Sequence, residues 1–242
     1  EEAFHNRQTR DNFPTPDMFD NCGRFVWYPA ETNTTIRPGW FYSSKLKPRF
    51  NVANLLDIYY RSVGGDSLFL LNLSPDTRGL IPEADVAMMK QLGGILRATF
   101  DTDLAEDAVA TASSIRGGDW DRWHPQYVRD KSMDTYWMTD DGVEQAELVF
   151  TLPRARTFNR AVVQESISRQ GQRIESCALD AWQDGKWKQV AEAKTVGYKR
   201  IMRFDDVTAD KVRLRITASR ICPTVSWFSL HYQPPLEPAQ KP

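Results

Sequence analysis

Residues 24–31, Arg24-Phe-Val-Trp-Tyr-Pro-Ala-Glu31, run on through Thr-Asn-Thr-Thr-Ile to Arg37-Pro-Gly-Trp40-Phe-Tyr42 and set an aromatic, β-branched run against a proline and one carboxylate. Phe25 to Tyr28 reads as a buried strand of a parallel sheet, and Pro29 cannot continue its ladder, so the chain turns there. Glu31 is then expected just past the C-terminal end of that strand, the end at which barrels of alternating strands and helices carry their chemistry. A loop glutamate capping a neighbouring amide has the same spacing. Trp27, Trp40 and Tyr42 offer flat apolar faces that stack on sugar C–H bonds, and Arg37 can fork onto hydroxyls or a carboxylate.

Outward from this stretch, Asn51 to Ser62 carries Val52, Leu55, Leu56, Ile58 and Tyr59 at helical spacing, with Asn51 as its cap and Gly64-Gly65 as its end. Ser67 to Leu73 is a continuous apolar run that fits a fully buried parallel strand. Pro75, Gly79 and Pro82 punctuate the following loop, and Glu83 to Phe100 repeats the helical pattern through Val86, Met89, Leu92, Ile95 and Leu96. The first hundred residues therefore read as two consecutive βα units. A closed barrel needs eight, and two parallel strands alone leave open edges and half-covered faces, so an N-terminal part of a barrel is expected to be missing. Residues 1–22, polar and with two prolines, read as a loop leading into the first strand.

From Asp101 the pattern changes to short alternating runs: Ala146–Leu152, Arg160–Glu165, Ser176–Trp182, Trp187–Val190, Arg200–Phe204, Lys211–Ile216 and Val225–Leu230. Seven short strands with turn residues between them predict an antiparallel β-sandwich. The boundary falls at about Thr102, and the proline-rich end from residue 236 reads as a frayed tail.

Composition narrows the partners. With Lys+Arg 31 against Asp+Glu 32 the net charge is -1, so no global field draws the chain to nucleic acid or an anionic membrane, and a neutral glycan suits it. No stretch approaches the roughly 20 apolar residues that span a bilayer. Cys22, Cys177 and Cys222 cannot build a disulfide framework and none stands at metal-ligand spacing, so they read as free and mostly buried, with a Cys177–Cys222 bridge as the one pairing left open. The chain starts at Glu1 rather than Met, so the lack of a signal peptide says nothing about export. No Gly-rich phosphate loop and no Ser/His/Asp order appears.

Trp-Tyr-Pro-Ala-Glu31, Ile-Arg37-Pro-Gly-Trp40-Phe-Tyr42, Ser62-Val-Gly-Gly-Asp-Ser-Leu-Phe-Leu-Leu-Asn72-Leu-Ser-Pro75 and Gly79-Leu-Ile-Pro82 resemble the C-terminal barrel segment of family 29 α-L-fucosidases. The Ile-Arg-Pro-Gly-Trp form is most similar to the branch that prefers α-1,3/4-fucosylated glycans. The second half resembles a discoidin, or coagulation-factor type C, sandwich of the galactose-binding jelly-roll kind, through Ala112-Ser-Ser114, Asp130-Lys-Ser-Met-Asp134-Thr-Tyr-Trp137, Glu147-Leu-Val-Phe, Asp184-Gly-Lys-Trp187 and Lys211-Val-Arg-Leu-Arg215. Its Gln164-Glu165-Ser-Ile and Gly171-Gln-Arg173-Ile resemble the version carried behind family 29 barrels.

The fold class expected is thus α/β plus all-β: an incomplete C-terminal part of a (β/α)8 barrel at 1–101, an antiparallel β-sandwich at 102–235, and a tail. The resemblance implies a retaining glycosidase of the periplasm or the secreted space, with Glu31 as acid/base, no catalytic cofactor, and a fucosylated glycan as substrate. Retaining enzymes need a second carboxylate as nucleophile, roughly 5–5.5 Å from the first. The family's nucleophilic Asp lies upstream of Glu1, and Asp17, Asp20 and Asp57 lack its surrounding motif, so the chain is expected to need a missing N-terminal barrel segment for turnover. Trp27, Arg37 and Trp40 are the expected substrate contacts; Trp40 as a plug at the barrel mouth and Arg37 as the partner of a loop carboxylate are the competing readings. Asn72 is expected to organise loop backbone. Trp120, Trp123 and His124, with Arg116 and Arg122 nearby, supply a candidate accessory sugar platform or a surface packed against the barrel. Asp130 and Asp134 are candidate ligands of a structural Ca²⁺. The alternative to an enzyme is a non-catalytic carbohydrate-binding or interaction module with a barrel remnant.

Overall fold

The computed structural model describes residues 30–236; the expected strand Phe25–Tyr28, Trp27, Cys22 and the last residues of the tail lie outside them. The N-terminal unit is built from β1 (Glu31–Thr35), α1 (Val52–Ser62), β2 (Leu68–Asn72) and α2 (Glu83–Phe100). Strands β1 and β2 pair in parallel, from Glu31 opposite Leu68 to Thr35 opposite Asn72. Glu31–Thr35, expected as loop, therefore forms a strand: its three threonines are β-branched and suit a half-exposed pleat. Asn51 caps α1 reciprocally, its Oδ1 accepting the Asn54 amide at 2.8 Å while Asn54 Oδ1 accepts the Asn51 amide at 3.2 Å.

The second unit is sheet-rich. A six-stranded sheet runs in the order β10-β5-β8-β6-β7, with β3 also on β5, and a two-stranded sheet joins β4 to β9. The elements are β3 (Val109–Ala112), a short helix α3 (Trp120–Trp123), β4 (Trp137–Met138), β5 (Ala146–Gln164), a single turn α4 (Ile167–Gln170), β6 (Ile174–Gln183), β7 (Lys186–Ala193), β8 (Arg200–Ser219), β9 (Thr224–Val225) and β10 (Trp227–His231). One apolar core runs between the two sheets, with Trp137 and Val225 from the small sheet set against Leu148, Phe150, Val163, Leu214 and Phe228 from the large one. Phe150 and Phe228 stack with centroids 3.8 Å apart, and Trp137 Nε1 donates to Ser114 O at 2.9 Å, so the buried indole leaves no polar atom unmet.

Four of the expected short strands are two long ones. Ala146–Leu152 and Arg160–Glu165 belong to the 19-residue β5, and Arg200–Phe204 and Lys211–Ile216 to the 20-residue β8. The polar stretches around Pro153 and Asp205-Asp206 read as breaks, but the ladder carries through them by register shifts at Thr151/Arg156 and Phe158/Arg160. The β6–β7 hairpin turns on Asp184 and Gly185, at φ 53 and 74, two left-handed residues as a two-residue hairpin requires.

The two units share a second core. Leu55, Leu56, Tyr60 and Leu92 of the N-terminal unit bury with Val162 and Ile201 of the sheet, and Trp227 packs against them. Close approach at this junction dictates two glycines. A Cβ on Gly64 would stand 2.4 Å from Tyr60 O and 3.0 Å from Ile201 Cβ; one on Gly197, at φ +65, would stand 1.9 Å from Asp66 Oδ2. In return Ile201 N donates to Gly64 O at 3.0 Å, and Asp66 Oδ1 accepts the Tyr198 amide at 2.7 Å.

Candidate functional site

Because β1 and β2 are parallel, their C-terminal ends lie together at Thr35 and Asn72, and the chain beyond Thr35 folds over that end. Asn72 Nδ2 donates to Trp40 O at 3.0 Å, Ser74 Oγ donates to the same oxygen at 2.7 Å, and Thr35 Oγ1 donates to Gly39 O at 3.0 Å. Three side chains at the strand ends thus fix the backbone of the Arg37–Trp40 loop, and Asn72 organises loop backbone as expected. The loop holds Trp40 at 52% and Phe41 at 87% exposure, against the burial such side chains ordinarily seek.

Arg37, expected to reach substrate, is buried instead. Its Nε and Nη2 fork onto Asp85 Oδ2 and Oδ1 at 2.9 and 2.8 Å, and its Nη1 donates to Leu46 O. Asp85 is fully buried in the first turn of α2. The guanidinium is therefore committed to the protein, and it holds the loop to the helix. The competing reading pairs Arg37 with a neighbouring loop carboxylate; the pairing is observed, but with a carboxylate of helix α2, 48 residues away.

Glu31 is exposed and is the first residue of β1, opposite Leu68 at the N-terminal ends of the strands. At about 3.3 Å per residue, four residues separate it from Thr35 by roughly 13 Å, so it stands at the other end of the pair from Trp40. The structure does not bring these two candidates together.

Of the three candidate platform rings, Trp120 is exposed, at 54%, while Trp123 and His124 are half-buried. Its ring meets that of His124 edge-on at 5.4 Å. His124 Nδ1 accepts the Gln126 amide at 2.9 Å and caps the next turn. Trp123 packs on Tyr136 at 5.1 Å within a small cluster with Met138 and Cys222, under the Arg122 guanidinium at 4.8 Å. Trp123 thus packs against its own unit rather than against the N-terminal one, and Arg116 is taken by Asp141 at 2.7 Å. Asp130 accepts from Ser132 N and Thr135 Oγ1, and Asp134 pairs with Arg169 at 2.6 Å, so both proposed calcium ligands are engaged. Among the described residues no three acidic, His or Cys side chains group to hold a metal ion. Cys177 and Cys222 are both free and buried, and burial pushes the Cys177 thiol up to about 12.

One carboxylate that spacing does not single out is Glu165, fully buried at the end of β5. Its Oε1 accepts the Arg173 and Ile174 amides at 2.7 and 2.9 Å, and its Oε2 accepts the Gly197 amide at 2.8 Å. Burial outweighs these bonds and raises its pKa to about 7, with the nearby Asp66 carboxylate adding to the rise. Asp66 is itself raised by burial. The turn at 197–199 is thus held from one side by Glu165 and from the other by Asp66 of the N-terminal unit.

Residues 109–228 match the F5/8 type C domain family. A rice protein assigned as α-L-fucosidase 1 is 36% identical over 205 residues, which is 84% of this chain and 39% of that one. A crystal structure assigned as an α-L-fucosidase from Bacteroides thetaiotaomicron superposes with a TM-score of 0.80 at 34% identity over 87% of this chain and 46% of its own. Through both of its units this chain is similar to family 29 α-L-fucosidases. A Ruminococcus gnavus family 29 fucosidase in complex with fucose superposes at a TM-score of 0.79 with 29% identity, over 88% of this chain and 43% of that one. The chain spans less than half the length of each of these relatives, and the similarity takes in both the parallel βα units and the discoidin-like sheet unit.

Proposed function

We propose that the chain is part of a retaining, exported α-L-fucosidase that hydrolyses terminal α-linked fucose, with preference for α-1,3/4 linkages. The observation that carries this reading is similarity to α-L-fucosidases across 84% of the chain, spanning both of its units. In it, β1 and β2 are strands of a (β/α)8 barrel completed by a segment outside this chain, which also supplies the nucleophilic Asp. Leu68 and Leu70 of β2, 58% and 47% exposed, support a missing neighbour, since strands of a parallel sheet are ordinarily covered on both faces. Trp40 is the proposed sugar-stacking side chain, Arg37 acts through the loop it anchors, and exposed Trp120 is the proposed accessory contact to a glycan.

Glu31 takes the acid/base role in this reading on its sequence motif, and its place at the start of β1 makes it the residue most in need of a direct test. In an enzyme completed with an upstream barrel segment, Glu31→Gln is expected to lower hydrolysis of fucosides with poor leaving groups by about a hundredfold, and of activated aryl fucosides far less, because only the former need a proton. Equal losses on both classes would remove Glu31 from that role.

A further inference from the structure

At the junction of the two units lies a cavity of about 520 Å³. That is within the size range of small-molecule sites, which favour such junctions. Tyr59 and Phe100 of the N-terminal unit and Trp227 of β10 line it, and Lys199, Gln164 and His231 are among its polar groups. The Trp227 side chain is fixed from behind: its Nε1 donates to Ser229 Oγ at 3.0 Å, which meets His231 Nε2 at 2.8 Å, while His231 Nδ1 lies 2.7 Å from Thr102 O. A carbonyl only accepts, so Nδ1 carries the proton and Nε2 accepts from Ser229. Burial, the largest cause, holds the His231 pKa below its ordinary value, so the relay is built of neutral groups.

Two polar atoms at this cavity have no partner among the described residues, Gln164 Oε1 and the Lys199 ammonium. Gln164 is only 7% exposed, its Nε2 donates to Tyr198 O at 2.8 Å, and among the described residues nothing donates to its Oε1. No described carboxylate pairs with the Lys199 ammonium, and burial lowers its pKa. Lys199 is half-buried, so both groups are open to a ligand that enters the cavity and replaces water at them. The acidic side chains beside them are already paired, Asp103 with Arg129 and Glu106 with Lys131. Among the described residues this leaves one ammonium and one amide oxygen without partners, the exposed Asp101 carboxylate and aromatic rings, with opposite charges in balance. We infer that this junction cavity is a second glycan-binding site, for a neutral sugar that stacks on Trp227 and hydrogen-bonds Lys199 and Gln164. A charged ligand would gain from one of the two free charges and lose to the other. The site is separate from both Trp40 and Trp120 and does not depend on the role of Glu31.

The test titrates the 242-residue chain with methyl α-L-fucopyranoside, with N-acetyllactosamine and with galacturonate, followed by saturation-transfer NMR and tryptophan fluorescence. Saturable binding of at least one neutral probe is expected, weakened about tenfold or more in Lys199→Met and in Trp227→Leu and unchanged in Trp120→Ala. Lys199 is half-exposed, so Lys199→Met keeps the test valid even if Trp227→Leu fails to fold. No saturable binding of either neutral probe, binding of galacturonate alone, or neutral-sugar binding that survives Lys199→Met and disappears in Trp120→Ala would each overturn the inference.

Discussion

Asp85→Ala is expected to destabilise the N-terminal unit by about 3–5 kcal/mol, because it leaves the Arg37 guanidinium buried and uncompensated. Arg37 and Asp85 are 6% and 0% exposed and joined by a two-pronged ion pair, so neither charge can turn to water once its partner is gone. The loss should reach beyond helix α2. Arg37 opens the loop that carries Trp40, so hydrogen exchange in residues 37–46 should rise together with that in α2. The exposed pair between Asp57 and Arg203, at 3.0 Å, is the control, and Asp57→Ala should cost no more than about 1 kcal/mol. Replacing both buried partners together, by Arg37→Met with Asp85→Leu, should recover most of the loss, since an apolar pair of similar volume needs no compensation. A loss for Asp85→Ala no larger than that for Asp57→Ala would contradict the arrangement of the loop.

Glu165→Ala removes the acceptor of three backbone N–H groups at once, and the expected cost is about 4 kcal/mol, from roughly 1–3 kcal/mol for each buried donor left unmet and some relief from entering water. The wild-type carboxyl should also make stability depend on pH in an unusual direction. Its folded-state pKa is raised to about 7, so the folded chain binds a proton that the unfolded chain releases in the ordinary carboxyl range. The stabilisation from that proton is complete below the ordinary range and is lost as pH rises through about 7. Urea midpoints for the wild type should therefore fall between about pH 5.5 and pH 8 relative to those of Glu165→Gln, which cannot titrate. A wild-type midpoint that rises against the variant over that interval would reverse the assignment of a raised pKa.

The sequence is informative where a periodic face and a cap coincide. Both long helices begin and end where their apolar spacing, the Asn51 cap and the Gly64-Gly65 stop place them, and β2 lies within its apolar run. It is less informative for β1, a strand half-open to solvent whose polar threonines carry no apolar alternation, and for β5 and β8, whose polar middles look like turns although pairing across the sheet carries them through. The two-residue β4 has no local signature at all; it exists because Trp137 is needed in the core and pairs with Val225. The site divides in the same way. The motif around residues 31–42 singles out Trp40, and the place of Asn72 in the apolar run gives it a backbone role, but the partner of Arg37 lies 48 residues away on helix α2, where spacing cannot show it. Glu165 reads as one acidic residue at a strand end until three amides from two distant turns converge on it.

The most direct test of the fucosidase reading is hydrolysis of an aryl α-L-fucoside by the 242-residue chain mixed with a separately expressed N-terminal barrel segment from a related family 29 enzyme. Activity in the mixture, with none in either piece alone and loss on Glu31→Gln when the leaving group is poor, is the predicted result. A mixture that assembles, judged by co-elution of the two pieces, yet hydrolyses nothing would contradict it.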